Sequence, residues 1–261
     1  MMNREHVDVS GKSDPSSAVP DQEYPGDVLR LIARGFGQLL MTLGVLLLLL
    51  CVYDLWWTNV ESARTIATVR SQILADWARP IPGPDPANTS DPGSEPQGFA
   101  QPDYGSGFAL LYIPRMRDKV WGLPILEGTS KAILAQGAGH YRTTAMVGAI
   151  GNFAIAAHRS THNEPFAHID DLRVGDKVFV QTRDTWYVYT LREDNPNLSP
   201  LDVWVIDPVP GQVGAVPKKR LLTMTTCTPR YGSTGRWAWW GELVATRSAS
   251  QGPPPGVSVT T

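Results

Sequence analysis

The chain has 261 residues, 42% of them hydrophobic, with 23 basic against 25 acidic side chains and a formal net charge of −2. That balance gives no electrostatic ground for a nucleic-acid partner, and the apolar fraction supports a packed core. Two cysteines exclude a disulfide-stapled scaffold and zinc sites built on three or four thiolates.

Residues 1–34 are polar, contain Pro, Ser and Asp, lack periodicity and read as a disordered tail. Gly35 to Tyr53 holds no charged residue and includes LLMTLGVLLLLLCVY. A helix there comes close to crossing the hydrocarbon of a bilayer, with Trp56 and Trp57 placed for the interface. We read 35–57 as one retained transmembrane anchor, because the apolar run is long for a signal peptide and a polar segment precedes it. Charge does not orient it: Arg30 and Arg34 before the run balance Arg64 and Arg70 after it.

Residues 58–107 follow as a stalk and spacer. Ile66, Ile73, Leu74 and Trp77 fall at helical spacing, which predicts a short stalk helix over 58–79. The rest, to 107, is rich in Pro and Gly and reads as an extended spacer. At the other end, residues 248–261 carry Pro-Pro-Pro and read as a second disordered tail. The folded domain is then 108–247.

Within it, short runs rich in Val, Ile, Tyr, Trp and Thr predict eight strands. They lie at 108–114, 120–128, 151–158, 176–182, 185–193, 201–208, 220–227 and 236–246. Thr182-Arg183-Asp184-Thr185 predicts a hairpin. Helical signals are brief, at Thr129–Gln136 and Pro165–Leu172. Short strands without βαβ spacing indicate an all-β domain, with barrel and sandwich both open on periodicity alone.

Cys51 lies in the apolar helix and Cys227 in the β domain, so Cys227 is a lone thiol. A small buried hydrophobe is the plain reading of such a residue. Its setting argues for more. Cys227 ends a strand and precedes a turn at Pro229 and Gly232, and Arg236 opens the next strand. A strand-turn-strand unit can set Cys227 beside Arg236, whose guanidinium would favour a thiolate and a developing oxyanion. Arg230, in the turn, is a rival cation. A thiol nucleophile also needs a proton acceptor. The histidines available are His140, His158, His162 and His168, since His6 sits in the N-terminal tail. His158 ends the apolar strand GNFAIAA, the same kind of position as Cys227, and is preferred, with His140 second. His162 and His168 read as surface residues.

At these residues the sequence resembles the sortases, membrane-anchored cysteine transpeptidases of Gram-positive bacteria. Thr223-Met224-Thr225-Thr226-Cys227 followed by Arg236 is similar to the sortase signature Thr-Leu-x-Thr-Cys with an Arg at the next strand. Met224 stands for the usual Leu, a volume-conserving swap. GNFAIAAHRS resembles the segment that holds the sortase His, which corresponds to His158. GAGHY (137–141) and the Cys-to-Arg spacing most resemble class E sortases of actinobacteria. The resemblance covers about residues 30–247.

It implies an eight-stranded sortase-type β-barrel with short helices, a cytoplasmic N-terminus and an extracellular catalytic domain. It implies that Cys227 attacks the Thr carbonyl of a Leu-Pro-x-Thr-Gly or Leu-Ala-x-Thr-Gly sorting signal on a secreted protein. A thioester would form, to be resolved by an amine of a peptidoglycan precursor or another protein. His158 would act as acid and base and Arg236 would hold the oxyanion. Thr225, Thr226, Tyr141 and His140 would border the substrate. No metal, nucleotide or flavin motif is present, and no cofactor is expected; Asp170-Asp171 and Glu193-Asp194 read as solvated turns. Housekeeping attachment is favoured over pilus polymerisation by the class E likeness. A surface cysteine protease, an L,D-transpeptidase and a non-catalytic anchored binding domain are the other readings. Leu123-Pro124-Ile125-Leu126-Glu127-Gly128 departs from a sorting signal at the Thr, so the chain reads as enzyme rather than substrate.

Overall fold

The structure, a computed structural model, describes residues 25–80 and 100–257. The expectations for residues 1–24, for 81–99 of the spacer, for the end of the C-terminal tail, and for the side chains of Trp56 and Trp57 lie outside the described residues.

A single helix, α1, runs Pro25–Ala78. It starts ahead of the apolar run, with Pro25 at a position where its missing N–H costs nothing. The apolar run and the segment expected as a stalk therefore fall within one helix. No Gly or Pro lies between Val45 and Arg79 to interrupt it, and Pro80 follows its end. The chain divides within α1 into two compact units, one ending at Val52 and the other beginning at Tyr53. Val28–Tyr53 has a mean hydropathy of 2.3 and no side chain buried against protein, and is long and apolar enough to cross a membrane.

The second unit is a closed eight-stranded barrel. Its strands are β1 Gly107–Tyr112, β2 Trp121–Glu127, β3 Ala138–His140, β4 Gly151–Ala156, β5 Lys177–Gln181, β6 Thr185–Leu198, β7 Arg220–Thr228 and β8 Gly235–Ser248. Around the wall they run β1-β2-β3-β4-β7-β8-β6-β5 and close on β1. β2–β3 and β4–β7 are parallel; the other pairs are antiparallel. Closure leaves no free sheet edge.

Strand alternation explains the continuous apolar run of β1. Ala109, Leu111 and Ile113 point into the barrel and join Phe153, Ile155, Leu222, Met224 and Trp239 in the core. Leu110 and Tyr112 face outward, yet they are buried too, under Ile73 of α1 and Val257 of the C-terminal segment. Ile66, Val69, Ile73 and Trp77 form the helical face that packs on the barrel. The approach is close: a Cβ on Gly107 would come within 2.6 Å of the Ile73 side chain.

Several segments differ from the sequence reading. The segment 201–208 is not a strand but a 3₁₀ turn over Val203–Ile206. Side chains take up its backbone carbonyls: Asn152 Nδ2 donates to Val205 and Asp207 O, and Thr223 Oγ1 and Trp240 Nε1 also donate to Val205 O. β3 supplies the eighth strand instead, too short to show a period. The tail after Ser248 forms a 3₁₀ turn over Ala249–Gln251 and buries Val257 on the barrel. The 165–172 helix is reduced to a 3₁₀ turn at Ile169–Asp171, and 129–136 to the helix α2, Lys131–Leu134, capped by Ser130.

Candidate active site

The site is set by the phase of three adjacent strands. On β7, Leu222 and Met224 enter the core, so Thr223, Thr225 and Cys227 take the outer face. On β8, Trp239 enters the core, so Arg236, Ala238 and Trp240 take the outer face. Cys227 and Arg236 are direct partners in the β7–β8 register. β4 flanks β7 on its other side and runs parallel to it, with Ala156 opposite Thr225. Two bonds carry that pairing further: Ala157 N donates to Thr225 O at 3.2 Å and Thr226 Oγ1 to Ala157 O at 2.7 Å. His158 therefore leaves β4 where Cys227 leaves β7. The structure brings Cys227, His158 and Arg236 to one end of one outer wall.

Cys227 is partly exposed and carries a free thiol. Arg236 spends Nη1 on Ser233 O at 3.0 Å and Gly235 O at 2.8 Å, which fixes the guanidinium over the turn. Its Nε and Nη2 have no partner among the described residues, and five fixed donors suit a carbonyl or an oxyanion. His158 Nε2 is buried without a hydrogen-bond partner among the described residues. Burial, and secondarily the neighbouring His162, lowers its pKa from 6.5 to about 4. The imidazole is thus neutral at pH 7 and able to accept a proton. Arg230, the rival cation, is committed to Glu164 Oε2 at 3.1 Å.

The remaining site residues separate into two groups. Tyr141 and Thr225 share a hydrogen bond of 3.0 Å and line a cavity of about 140 Å³ with Leu198, Val203, Ile206 and Arg236. This apolar groove leads to Arg236 beneath the segment that connects β6 to β7, where a peptide side chain could sit. His140 and Thr226 are not part of it. His140 is fully buried: Nδ1 meets Glu127 Oε2 at 2.7 Å, and Nε2 meets Thr144 Oγ1 and Ala145 O, each at 3.1 Å. Its ring stacks on Phe153. GAGHY is thus a packing motif, and a Cβ on Gly139 would fall 2.3 Å from Gly128 O. Thr226 is buried and its hydroxyl is spent tying β7 to β4. Both were expected to border the substrate, and their burial corrects that.

His162, expected at the surface, stacks on His158 with ring centroids 4.7 Å apart and planes 20° from parallel. Its spacing from His158 gave no signal, because the contact depends on a left-handed turn. His168 does remain partly exposed, near Asp118 and Asp171. Among the described residues no group of three or more His, Cys, Asp or Glu could hold a metal ion.

Residues 111–244 match the family model of the Sortase domain. The chain is 41% identical over 229 residues to Sortase SrtE1 of Streptomyces coelicolor, an alignment that takes in 85% of this chain and 60% of that protein. It is 34% identical over 228 residues to Sortase SrtE2 of the same organism, with 85% and 86% covered. Among solved structures it resembles Sortase E1 from Streptomyces coelicolor with a tripeptide in the active site, at 42% identity and a TM-score of 0.54, over 59% of this chain and 98% of that one.

Proposed function

The chain belongs to the sortase family, whose members are cysteine transpeptidases, and we propose that it cleaves a C-terminal sorting signal between Thr and Gly and transfers the protein to an amine of the cell wall. The observation that carries this reading is the pairing of Cys227 with Arg236 across β7 and β8, with His158 leaving the parallel neighbour β4 at the same end.

The chemistry follows from the site. Cys227 Sγ attacks the Thr carbonyl while the neutral imidazole of His158 takes the thiol proton. Arg236 holds the carbonyl oxygen as it becomes an oxyanion. His158 then gives its proton to the departing Gly amine, leaving a thioester on Cys227. An incoming amine loses a proton to His158, attacks the thioester and restores the thiol. The thioester conserves the energy of the broken amide, so no nucleotide is required. The groove beside Tyr141 and Thr225 would receive the signal upstream of the Thr, in its Leu-Ala-x-Thr-Gly or Leu-Pro-x-Thr-Gly form. The class E relatives favour housekeeping attachment over pilus polymerisation. The apolar helix Val28–Tyr53 would anchor the enzyme with its N-terminus in the cytoplasm and the barrel outside.

The test uses the full chain in detergent with quenched fluorescent peptides of both signal types, with and without a glycine-type amine, beside Cys227→Ala. Cleavage after Thr with transfer to the amine, absent in the variant, supports the proposal. Turnover to water alone, whatever amine is supplied, would make the protein a thiol protease.

A further inference from the structure

We propose that His162 is a positioning residue for His158, a ring placed by a strained turn to hold the catalytic imidazole face-on. The inference rests on the reading of His158 as the acid and base of the reaction.

The geometry has three parts. The two rings are stacked, 4.7 Å between centroids and 20° from parallel. Nδ1 of His162 is buried with no hydrogen-bond partner among the described residues, so ring contact and not a hydrogen bond locates it. The turn that returns His162 over His158 is costly. His162, Asn163 and Glu164 all have positive φ, at 53°, 64° and 51°, and none is glycine. Such a run persists only where its surroundings hold it.

The surroundings do so from both sides. Phe166 N donates to His158 O at 2.9 Å and Glu164 N to Thr161 O at 3.0 Å, closing the loop on itself. Lys119 Nζ donates to Asn163 O at 3.3 Å from the β1–β2 connection. Glu164 reaches across to Arg230, in the β7–β8 turn just beyond Cys227. A loop serving only as a connection has no use for three left-handed residues clamped to the turn that follows the nucleophile. Clamped in this way, His162 fixes the plane of His158 relative to Cys227.

The ionisable groups gathered at this end of the barrel are Cys227, Arg236, the Arg230–Glu164 pair, the Arg159–Asp170 pair at 3.4 Å, and Lys119. Burial, and after it the neighbouring His162, lowers the His158 titration and keeps the ring neutral. His162 is itself held below its ordinary value by burial.

The experiment compares His162→Ala and His162→Phe in the full chain in detergent. It reads peptide transfer, thermal unfolding and the titration of ¹³C-labelled histidines, of which the chain has five. With His162→Ala, kcat should fall about tenfold, as for a misplaced catalytic group, with KM moving much less. The His158 midpoint should rise, because both the burial and the neighbouring charge are reduced. His162→Phe, which restores the stacking face and the burial without the charge, should recover most of kcat and leave the midpoint between those of wild type and His162→Ala. An unchanged kcat and midpoint in His162→Ala would overturn the inference. So would equal losses in both variants accompanied by a lowered unfolding temperature, the mark of a purely structural ring. A wild-type chain inactive on every peptide, yet showing the midpoint shift, would remove the activity itself while leaving the coupling between the rings intact.

Discussion

Cys227 and Arg236 occupy one rung of the β7–β8 ladder, nine residues apart in sequence and directly opposite in register. Cross-strand partners on one face bring their Cβ atoms to about 5 Å. The pairing thus holds a thiol and a fork of N–H donors at a separation set by the sheet, whatever the turn between them does. Arg236→Lys keeps the charge but loses the fork. It should lower kcat/KM by about 10²–10³, the range for removal of an oxyanion donor, while Cys227 still reacts with iodoacetamide. A Lys variant within threefold of wild type would show that charge alone suffices.

Cys227→Ala should abolish transfer and leave the barrel intact, since the thiol is free and only partly buried. In the wild-type chain, alkylation followed by peptide mass mapping should find Cys227 modified in step with loss of activity. Modification of Cys51 alone with full activity lost would place the chemistry elsewhere.

Stability should fall in mild acid because of His158. It protonates near pH 4 when folded and near 6.5 when free of the fold. Between those values the unfolded chain binds more protons, so stability rises with pH across the window. The contribution is fully present above about pH 6.5 and fades as pH falls to about 4. His162 shifts in the same direction. The difference in melting temperature between wild type and His158→Gln, followed from pH 7 to pH 4, isolates the effect from the carboxylates. It should narrow steadily, or invert, on the acid side.

The Glu127–His140 pair is enclosed on all sides, and both side chains are fully buried. His140→Leu leaves the Glu127 carboxylate with only Gln101 at 2.7 Å and Arg142 at 3.4 Å. Breaking a buried pair costs up to about 3–5 kcal/mol, and the remaining Gln101 and Arg142 contacts keep the loss toward the lower end. Denaturant unfolding should show a loss of that order, with kcat per folded molecule unchanged. A stable variant with impaired kcat would return His140 to the substrate site.

Local chemistry made much of this readable in the sequence. A Cys and a His each end a strand of β-branched and small apolar residues, and an Arg opens the next one. Such positions were legible because strand ends show in composition. What escaped depended on tertiary context. Val203–Ile206 has strand-like residues, but Leu201 and Val203 are exposed, and buried Asn152 pulls its carbonyls out of any ladder. β3 is three residues long, and its Gly139 is demanded by the backbone of Gly128 rather than by any period. His162 could not be joined to His158 without knowledge of three positive φ angles. His140 looked reactive because its carboxylate partner lies 13 residues away in sequence, on another strand.

The parallel pairing of β4 with β7 has a consequence for how such a protein can diversify. Strands that run the same way cannot be joined by a tight turn, so the chain must travel back along the whole barrel between His158 and Cys227. That return path includes β5, β6 and the segment that walls the groove. Cys227 and His158 are pinned by the ladder, while the walls belong to the connection. On the proposed function, loop exchange between relatives should therefore retune which peptide is accepted without disturbing Cys227 and His158, a division of labour between a conservative rail and a replaceable mould.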